Sequence, residues 1–294
     1  LMNFINTLSH FLKRNKIKQS KKNIEDHYDL GNDFYQLFLD ESMMYSSALF
    51  DSNIASLEEA QRKKIHVLIA KAKINQSHHV LEIGSGWGSV AIEIARSTGA
   101  KVTTITLSDE QYSYVKARIH KEGLSDLIEV KIQDYRHIDA TYDRIISIEM
   151  IEAVGHEYLP SYFKTINNSL KNKGVAVIQA ITYPDKYYSA YCKESDFIRK
   201  HIFPGGHLPS LGEISKILDS QTKLRQIDQQ NLAASYAKTL NCWYDRLLSH
   251  KQACLQMGFS EPFFRKWMYY FKFCEAAFRS NFLGTYQLVY QKEL

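Results

Sequence analysis

Short runs of β-branched and aliphatic residues alternate with helical patterns along the middle of the chain. From residue 78 onward, such runs predict strands at 79–84, 101–107, 127–133, 142–149 and 174–182. Between them, the pattern predicts helices at 87–97, 109–121 and 157–171. Because strands that alternate with helices form parallel sheets covered by helices, the pattern predicts an α/β fold.

The strand rhythm stops between about residues 184 and 223. This segment is rich in Tyr and Phe and contains Gly and Pro, which predicts an insertion that covers the carboxyl edge of the sheet. Beyond it, strand-like runs at 224–230 and 286–292 flank two predicted helices near 236–256 and 261–280. The sequence contains no internal repeat.

The composition is that of an ordinary folded protein. Of 294 residues, 45% are hydrophobic and 23% are charged, which excludes collagen-like, low-complexity and wholly disordered chains. No apolar run approaches the roughly 20 residues that cross a bilayer, and no leader pattern opens the chain, so we expect a cytoplasmic protein. The four cysteines form no C-x-x-C pair, and we expect reduced thiols rather than disulfides or a zinc site.

The excess of positive charge is concentrated near the start of the chain. The net charge is +5, and six Lys or Arg residues lie within 13–22, directly after apolar residues at helical spacing in 4–12. An amphipathic helix with a basic arm in residues 1–22 is the pattern expected at an anionic membrane surface, here the inner face. A solvated basic arm after an ordinary packed helix is the alternative. Nucleic-acid binding is disfavoured because no second basic stripe with interleaved aromatics follows.

Three glycines at alternate positions follow the first predicted strand. Glu82, Gly84, Ser85, Gly86 and Gly88 form the pattern E-x-G-x-G-x-G. Glycine is needed in such a turn because the backbone adopts angles closed to other residues and a ligand approaches it closely. A dinucleotide site would need G-x-G-x-x-G, whose last glycine is missing, so NAD and FAD are disfavoured. The pattern resembles motif I of S-adenosylmethionine-dependent methyltransferases, and a purely structural turn is the alternative.

Further candidate cofactor contacts follow the next two strands. Thr106, Leu107 and Gln111 come after the second strand, where an open α/β sheet presents groups to a ribose. Gln111 is equally explained as a helix-start residue behind a capping Ser. Asp134 and Tyr135 follow the third strand, where we expect contacts to an adenine.

Seven segments, in order along the chain, resemble one family. They are residues 27–50, VLEIGSGWG (80–88), QDYR (133–136), DRIISIEMIEAVG (143–155), IFPGGHLPS (202–210), SYAKTLNCWYDR (235–246) and YYFKFCEAAFR (269–279). From about residue 23 to the end, the chain is thereby similar to the cyclopropane-fatty-acyl-phospholipid synthase family, which includes the mycolic acid cyclopropane synthases. The resemblance implies a class I methyltransferase domain, Rossmann-like, over 23–294. Its seven-stranded sheet would be mostly parallel, with helices on both faces, a helical cap at 23–75 and a lipid-facing cover that includes 184–223.

The resemblance implies methyl transfer from S-adenosylmethionine to a double bond in an acyl chain of a phospholipid, forming a cyclopropane through a carbocation. Such a pocket must be dry and aromatic, because ring faces stabilise a cation. The chain has 19 Tyr and 15 Phe, most of which we expect in the core. Two alternatives stay open: a fatty-acid C-methyltransferase that gives methylene or methyl-branched chains, and a non-catalytic lipid-binding protein. A homodimer also stays open.

The resemblance further implies a bound bicarbonate as the base that removes a proton from the new methyl group. The positions that would hold it are Glu152, the backbone of Ile181 and Tyr236, with Ser47 and Gln179 where the family has Cys and His. Both replacements can donate hydrogen bonds, and neither is charged. Glu152 would orient the bicarbonate or act as the base itself, with a pKa raised by desolvation. A surface glutamate in a loop is the alternative.

Three more positions are singled out by the resemblance. Tyr45 and Ser46 match family positions that contact the cofactor. Cys274 matches a cysteine often marked as active, but a Cys among apolar helix residues is more often a packing residue. No metal site is expected, because three histidines lack metal-ligand spacing in the sequence: His156, His201 and His207.

Overall fold

A seven-stranded sheet organises the part of the chain that the structure, a computed structural model, describes: residues 30–54 and 56–294. The strands are β1 (His79–Ile83), β2 (Lys101–Thr106), β3 (Ile128–Ile132), β4 (Tyr142–Ile148), β5 (Leu170–Thr182), β6 (Leu224–Asn231) and β7 (Gly284–Lys292). Their spatial order is β3-β2-β1-β4-β5-β7-β6, and β7 runs antiparallel to both neighbours. The predicted sheet, seven-stranded and mostly parallel, is confirmed.

Helices cover both faces of the sheet. The α-helices are α1 (Asn32–Gln36), α2 (Leu57–Ala72), α3 (Ser89–Thr98), α4 (Asp109–Lys121), α5 (Leu159–Ser169), α6 (Asp185–Tyr191), α7 (Phe197–His201), α8 (Leu211–Gln221), α9 (Ala233–Ser249), α10 (Lys251–Gln256) and α11 (Glu261–Arg279). Apolar residues of α2, α3 and α4 pack on one face, and those of α5 and α8 pack on the other. Strands covered on both faces have near-continuous apolar sequences, which is why the pattern predicted β1, β4 and β5.

Helix α8 is the main difference from the predicted elements. It lies inside 184–223, where the Gly and Pro content indicated an insertion at the sheet edge. Ile214, Ile217 and Leu218 recur at helical spacing in α8 and are buried with residues of α5. This part of the segment therefore covers a face of the sheet.

A cluster of aromatic residues lies beside the sheet, where α1, α9 and α11 pack together. At its centre are side chains that are at most 2% exposed: Phe34, Phe38, Trp243, Trp267 and Phe271. Its ring centroids lie, for example, 4.9 Å apart between Phe34 and Trp267, in the range of favourable aromatic pairs. Trp87, in the turn after β1, and Tyr236, on α9, belong to the same aromatic cluster. The cluster therefore borders the carboxyl edge of the sheet.

The predicted amphipathic helix and basic arm at 1–22 lie outside the described residues. The domain limits at 23–75 and 23–294 stay predictions. Among residues 30–54 and 56–294, no helix combines the length and the apolar character needed to cross a bilayer.

Candidate active site

The turn after β1 has the backbone that the glycine pattern predicts. Gly84, Gly86 and Gly88 have φ angles of 95°, 48° and 87°, a region that L side chains rarely adopt. The N–H groups of Gly84 and Ser85 donate to the carbonyl of Ile105 on β2, at 3.1 and 2.9 Å. Gly84 and Gly86 keep partial exposure. The turn is therefore fixed to the sheet and accessible, as a ligand-binding turn must be.

Residues of α1, of the loop after it and of α4 form hydrogen bonds at the turn after β1 and at the start of α3. The guanidinium group of Arg118 donates to the carbonyls of Trp87 and Ser42 at 3.2 and 3.3 Å, and to Ser89 Oγ at 2.7 Å. The indole N–H of Trp87 donates to Asn32 Oδ1 at 2.7 Å. Because residues of α1, the following loop and α4 all bind the start of α3, they fix its position relative to the turn.

Glu82, near the end of β1, is a buried acid. It is 3% exposed, and burial raises its pKa to about 8. The Thr104 hydroxyl, which donates to Glu82 Oε2 at 2.5 Å, lowers the pKa and reduces this effect. A cationic or hydroxyl-rich ligand beside Glu82 would offset the cost of burying its charge.

Thr106 and Gln111 are joined by a hydrogen bond at the end of β2. The Thr106 hydroxyl donates to Gln111 Oε1 at 2.8 Å, and Ser108 Oγ accepts from the Gln111 N–H at 3.2 Å. Gln111 is thus a first-turn residue of α4 whose amide is also fixed beside the strand end. Leu107, between them, is partly exposed. This geometry is compatible with Gln111 as a cofactor contact and with Gln111 as a helix-start residue.

Asp134 follows β3 and is paired with Arg136. Nε and Nη2 of Arg136 donate to the two carboxylate oxygens at 2.8 and 2.6 Å. Burial raises the pKa of Asp134, but the hydrogen bonds from Arg136 outweigh it and hold the pKa below its usual range. The ring of Tyr135 packs edge-on against Tyr162 in the core, with centroids 5.5 Å apart. The adenine contacts of Asp134 and Tyr135 stay predictions.

Glu149, which the sequence patterns did not single out, lies at the centre of the predicted catalytic residues. Its Oε1 accepts hydrogen bonds from the Ser47 backbone N–H at 2.9 Å and from Gln179 Nε2 at 2.8 Å. Its Oε2 accepts from the Tyr236 hydroxyl at 2.8 Å. Three predicted residues therefore converge on one carboxylate. The sequence signal for Glu149 is its position directly after β4, at the edge where ligands collect.

Lys64 of α2 is a buried cation that acts on this carboxylate. Its side chain is 0% exposed, and Nζ donates to Ser46 Oγ at 2.7 Å. Burial lowers the pKa of Lys64 to about 8, while the negative charges of Glu149 and Asp40 raise it. Burial raises the pKa of Glu149, against its three hydrogen-bond donors and the charge of Lys64, which lower it. Because N–H donors cannot accept a proton, the arrangement around Oε1 favours the ionised carboxylate.

Glu152 is the second carboxyl group at this edge. Its Oε1 accepts from the Ile181 N–H at 2.6 Å. Its Oε2 is buried and has no hydrogen-bond partner among the described residues. Burial raises the pKa of Glu152 to about 8, and the charge of Glu149 adds to the shift. Glu152 is therefore mostly protonated at neutral pH, and the structure does not support the alternative of a solvated surface glutamate.

The free energy of unfolding of the ligand-free protein is expected to fall as the pH rises from about 5 to about 8. The carboxyl groups of Glu82 and Glu152 have folded-state pKa values of about 8, against an ordinary value of 4.5. The folded state therefore keeps protons that the unfolded state releases. This stabilisation is fully present below the unfolded pKa and is lost as the pH rises through about 8.

Urea unfolding at intervals between pH 5 and pH 9 measures this dependence. Glu82→Gln should reduce the slope, because it removes one of the buried groups with a raised pKa, whereas Glu41→Gln, at an exposed position, should not. A slope equal in all three proteins would contradict the assignment.

Ser46 and Ser47, in the loop after α1, form hydrogen bonds with Lys64 and Glu149, respectively. Ser47 binds Glu149 through its backbone N–H, and its hydroxyl donates to the carbonyl of Ala48 at 3.0 Å. A Ser in place of the family's Cys therefore leaves the contact with the carboxylate unchanged. The hydroxyl of Ser46 binds Lys64.

Tyr45 and Cys274 border the aromatic cluster. The Tyr45 hydroxyl lies 3.3 Å from that of Tyr270, and its ring centroid lies 5.2 Å from that of Trp243. Burial raises the pKa of the Cys274 thiol well above its ordinary value. A thiol that stays protonated is a poor nucleophile, which favours the packing interpretation of Cys274.

His156 and His207 lie together with Cys192, although their spacing in the sequence is not that of a metal site. The candidate ligand atoms of the three residues lie within 4.8 Å of one another. The Tyr188 hydroxyl lies 3.0 Å from His156 Nδ1 and 2.8 Å from His207 Nε2. Hydrogen bonds through this phenol account for the cluster without an ion. His201 ends α7, and the expectation that the protein binds no metal stays a prediction.

The strand order, the antiparallel β7, the glycine turn and the polar groups at the strand ends define a class I S-adenosylmethionine-dependent methyltransferase. Residues 15–288 match the family described as mycolic acid cyclopropane synthetase. The chain belongs to this family, and the family predicted from the sequence is confirmed.

Some relatives of the chain are named as methyltransferases and others as cyclopropane synthases. The chain is 41% identical over 276 residues to the tuberculostearic acid methyltransferase UfaA1 of Mycobacterium tuberculosis, covering 92% of this chain and 64% of the relative. It is 33% identical over 283 residues to the cyclopropane-fatty-acyl-phospholipid synthase of Escherichia coli K12, covering 93% of this chain and 70% of the relative. The chain thus spans about two thirds of the length of these relatives.

Two solved structures resemble the whole described fold. The cyclopropane synthase MmaA2 from Mycobacterium tuberculosis superposes with a TM-score of 0.86 at 27% identity, covering 92% of this chain and 98% of that one. The mycolic acid cyclopropane synthase CmaA1, complexed with S-adenosylhomocysteine (SAH) and CTAB, superposes with a TM-score of 0.85 at 29% identity over the same shares. SAH is the demethylated form of S-adenosylmethionine, and the prediction of S-adenosylmethionine as cofactor is confirmed.

The bicarbonate that the resemblance implies does not fit beside these residues. The groups expected to hold it at Ser47, Gln179 and Tyr236 all donate to Glu149 instead. The remaining donor, the Ile181 N–H, is bound to Glu152. A bicarbonate would have to displace a carboxylate and would bring a further negative charge beside two desolvated carboxyl groups. We therefore assign no step to bicarbonate.

Proposed function

We propose that the protein methylates carbon–carbon double bonds in unsaturated acyl chains of phospholipids. One observation carries the proposal: the glycine turn, the carboxyl pair and the aromatic cluster adjoin one another. A Cβ added at Gly84 would lie 3.2 Å from Cγ of Met150, which stands between the two glutamates in sequence. Trp87 of the turn and Tyr236, the donor to Glu149, both belong to the aromatic cluster. One region of the molecule thus combines a methyl-donor site, cation-stabilising rings and a proton acceptor.

The residues of this region suit a reaction through a carbocation. Bound S-adenosylmethionine supplies an electrophilic methyl group on a sulfonium. The alkene's π electrons form the bond to the methyl carbon as the carbon–sulfur bond breaks, which leaves a positive charge on the neighbouring carbon. Ring faces such as those of Tyr45 and Tyr236 each stabilise a desolvated cation by about 2 kcal/mol. The aromatic cluster also excludes water, which would otherwise add to the cation.

Proton removal fixes the product. In the first candidate, the proton leaves the new methyl group and its C–H electron pair closes a cyclopropane ring. In the second, a hydride first shifts from the methylated carbon to the cationic carbon, and loss of a proton from the methyl group then gives a methylene group, the precursor of a methyl branch. The second is favoured by one observation: the chain is 41% identical to a relative named for methyl transfer rather than ring formation.

Purified protein with radiolabelled S-adenosylmethionine and vesicles of monounsaturated phospholipid tests the proposal. We expect label in the lipid extract. Mild hydrogenation then separates the products, because a methylene group takes up hydrogen and a ring does not. Label that stays in the aqueous phase would refute the proposal and favour the lipid-binding alternative.

Exposed aromatic side chains on α6, on α11 and just after α11 support a membrane surface as the substrate's location. Tyr187, Tyr269, Phe273 and Phe282 are 46%, 54%, 44% and 41% exposed. Their rings stack in two pairs, Tyr187 with Phe282 and Tyr269 with Phe273, with centroids 6.1 and 5.9 Å apart. Exposed aromatic groups are favoured at the boundary between water and lipid. We call these four residues the aromatic rim.

Phe273→Asp combined with Phe282→Asp is expected to lower activity on phospholipid vesicles about tenfold. The carboxylates would oppose insertion of the aromatic rim into the interface, while activity on the same lipid in detergent micelles should change less than about twofold. Ile227→Asp is the matched control, since Ile227 is 47% exposed on the edge strand β6. Equal losses on vesicles for both proteins would contradict a role of the aromatic rim.

A further inference from the structure

We infer that Glu149 is the proton acceptor of this reaction, so that the chain supplies its own base and needs no dissolved anion. The inference rests on the proposed function. In the step concerned, a C–H bond of the transferred methyl group breaks, and its electron pair closes the ring or forms the methylene double bond. The proton passes to Oε2 of Glu149.

The hydrogen bonds around Glu149 leave one site for that proton. A carboxylate offers about four lone-pair sites. The Ser47 N–H and Gln179 Nε2 use both sites of Oε1, and the Tyr236 hydroxyl uses one site of Oε2. Gln179 is itself oriented, because its Oε1 accepts from Gln287 Nε2 at 3.2 Å. The carboxylate is therefore held in one orientation with a single acceptor site remaining on Oε2.

The backbone of Glu149 is strained where the side chain is presented. Its φ angle of 47° costs an L residue on the order of 1–2 kcal/mol. Its N–H donates at 2.7 Å to the carbonyl of Gln179, which stands opposite Ile148 in the pairing of β4 with β5. The strand pairing thus continues up to the point where the chain turns. Strained backbone of this kind clusters at functional positions.

Neighbouring charges divide the two carboxyl groups into a base and a neutral acid. The charge of Glu149 raises the pKa of Glu152, and two carboxyl groups that interact in this way do not both ionise readily. Glu149, with three donors and the nearby Lys64 charge, holds the negative charge. Glu152, with one donor and a buried Oε2 that lacks a partner in the described chain, holds the proton. The negative charge of the pair is therefore placed on Glu149, without a second anion beside it.

Two variants of the 294-residue chain test the inference in buffer freed of carbon dioxide, with labelled S-adenosylmethionine and monounsaturated phospholipid vesicles. Glu149→Gln keeps the side-chain shape without an acceptor for the proton, and Glu149→Gly opens the space between the donors. Wild-type protein should be fully active, and both variants should lose at least about 100-fold in kcat. Their Kd for S-adenosylmethionine should stay within about threefold of wild type, which also verifies folding. Glu41→Gln, at an exposed position, is the matched control.

Small anions provide the decisive readout. Formate or bicarbonate should raise the kcat of Glu149→Gly at least about tenfold, and should leave Glu149→Gln unchanged because its amide still fills the space. The inference is overturned if Glu149→Gln keeps its turnover, if no anion rescues Glu149→Gly, or if wild-type protein requires added bicarbonate. Wild-type protein that methylates no lipid under any of these conditions would instead refute the proposed function, and the inference with it.

Discussion

Gly86→Asp is expected to weaken the binding of S-adenosylmethionine at least about 100-fold while the protein still folds. A Cβ at this position would meet no atom of the described residues within 4 Å, and φ is 48°, a conformation that Asp adopts at modest cost. The new carboxylate would project from the turn into the space through which the cofactor approaches. A hundredfold loss corresponds to about 2.8 kcal/mol of binding free energy. Titration calorimetry measures it.

Gly123→Asp is the matched control for this variant. Gly123 follows α4, has a φ angle of 68°, and also has no described atom within 4 Å of an added Cβ. The two substitutions impose a similar backbone cost, so only an effect specific to the turn separates them. If both variants bind the cofactor as wild-type protein does, the glycine turn is not the cofactor site.

Tyr236→Phe is expected to lower kcat about 10- to 100-fold and to move the acid limb of its pH profile to higher pH. The Tyr236 hydroxyl donates to Glu149 Oε2 at 2.8 Å, and a hydrogen bond to a charged group contributes about 1.5–3 kcal/mol. Loss of a donor to the ionised form raises the pKa of Glu149, so a larger share is protonated at low pH. The ring should stay in place, since it stacks on Phe278 with centroids 4.5 Å apart.

Tyr290→Phe controls for the loss of a buried phenol hydroxyl. Tyr290 is 0% exposed, and its hydroxyl has no hydrogen-bond partner within the described ranges. Its removal should change neither kcat nor the pH profile. A Tyr236→Phe enzyme with a wild-type profile would remove this hydroxyl from the reaction.

The features predicted well from the sequence are those fixed by neighbours along the chain. The glycine turn follows from local backbone requirements, because the positive φ angles at Gly84, Gly86 and Gly88 leave few other residue types. Strands β1, β4 and β5 follow from their apolar runs, since both faces of each are covered. Helix α8 was missed because its apolar spacing was outweighed by the Gly and Pro residues before it.

The features that the sequence left open depend on contacts between distant segments. Glu149 gains its role from donors at Ser47, Gln179 and Tyr236, which fold onto it from three other parts of the chain. In the sequence, Lys64 is one of several polar residues on an amphipathic helix. Its burial becomes evident only in the tertiary structure. When only the sequences are compared, Ser47 and Gln179 stand where the family has Cys and His, which suggests a weakened catalytic site. In the structure, the backbone of one and the amide of the other bind the same carboxylate.

The left-handed backbone at position 149 has a consequence for protein engineering. Glycine adopts a φ angle of 47° without the side-chain penalty that glutamate carries. A design method that scores backbone conformation alone would therefore favour Glu149→Gly, although that substitution leaves the donors at Ser47, Gln179 and Tyr236 without their acceptor. Position 149 should therefore be held fixed when the backbone of this protein is redesigned for thermostability.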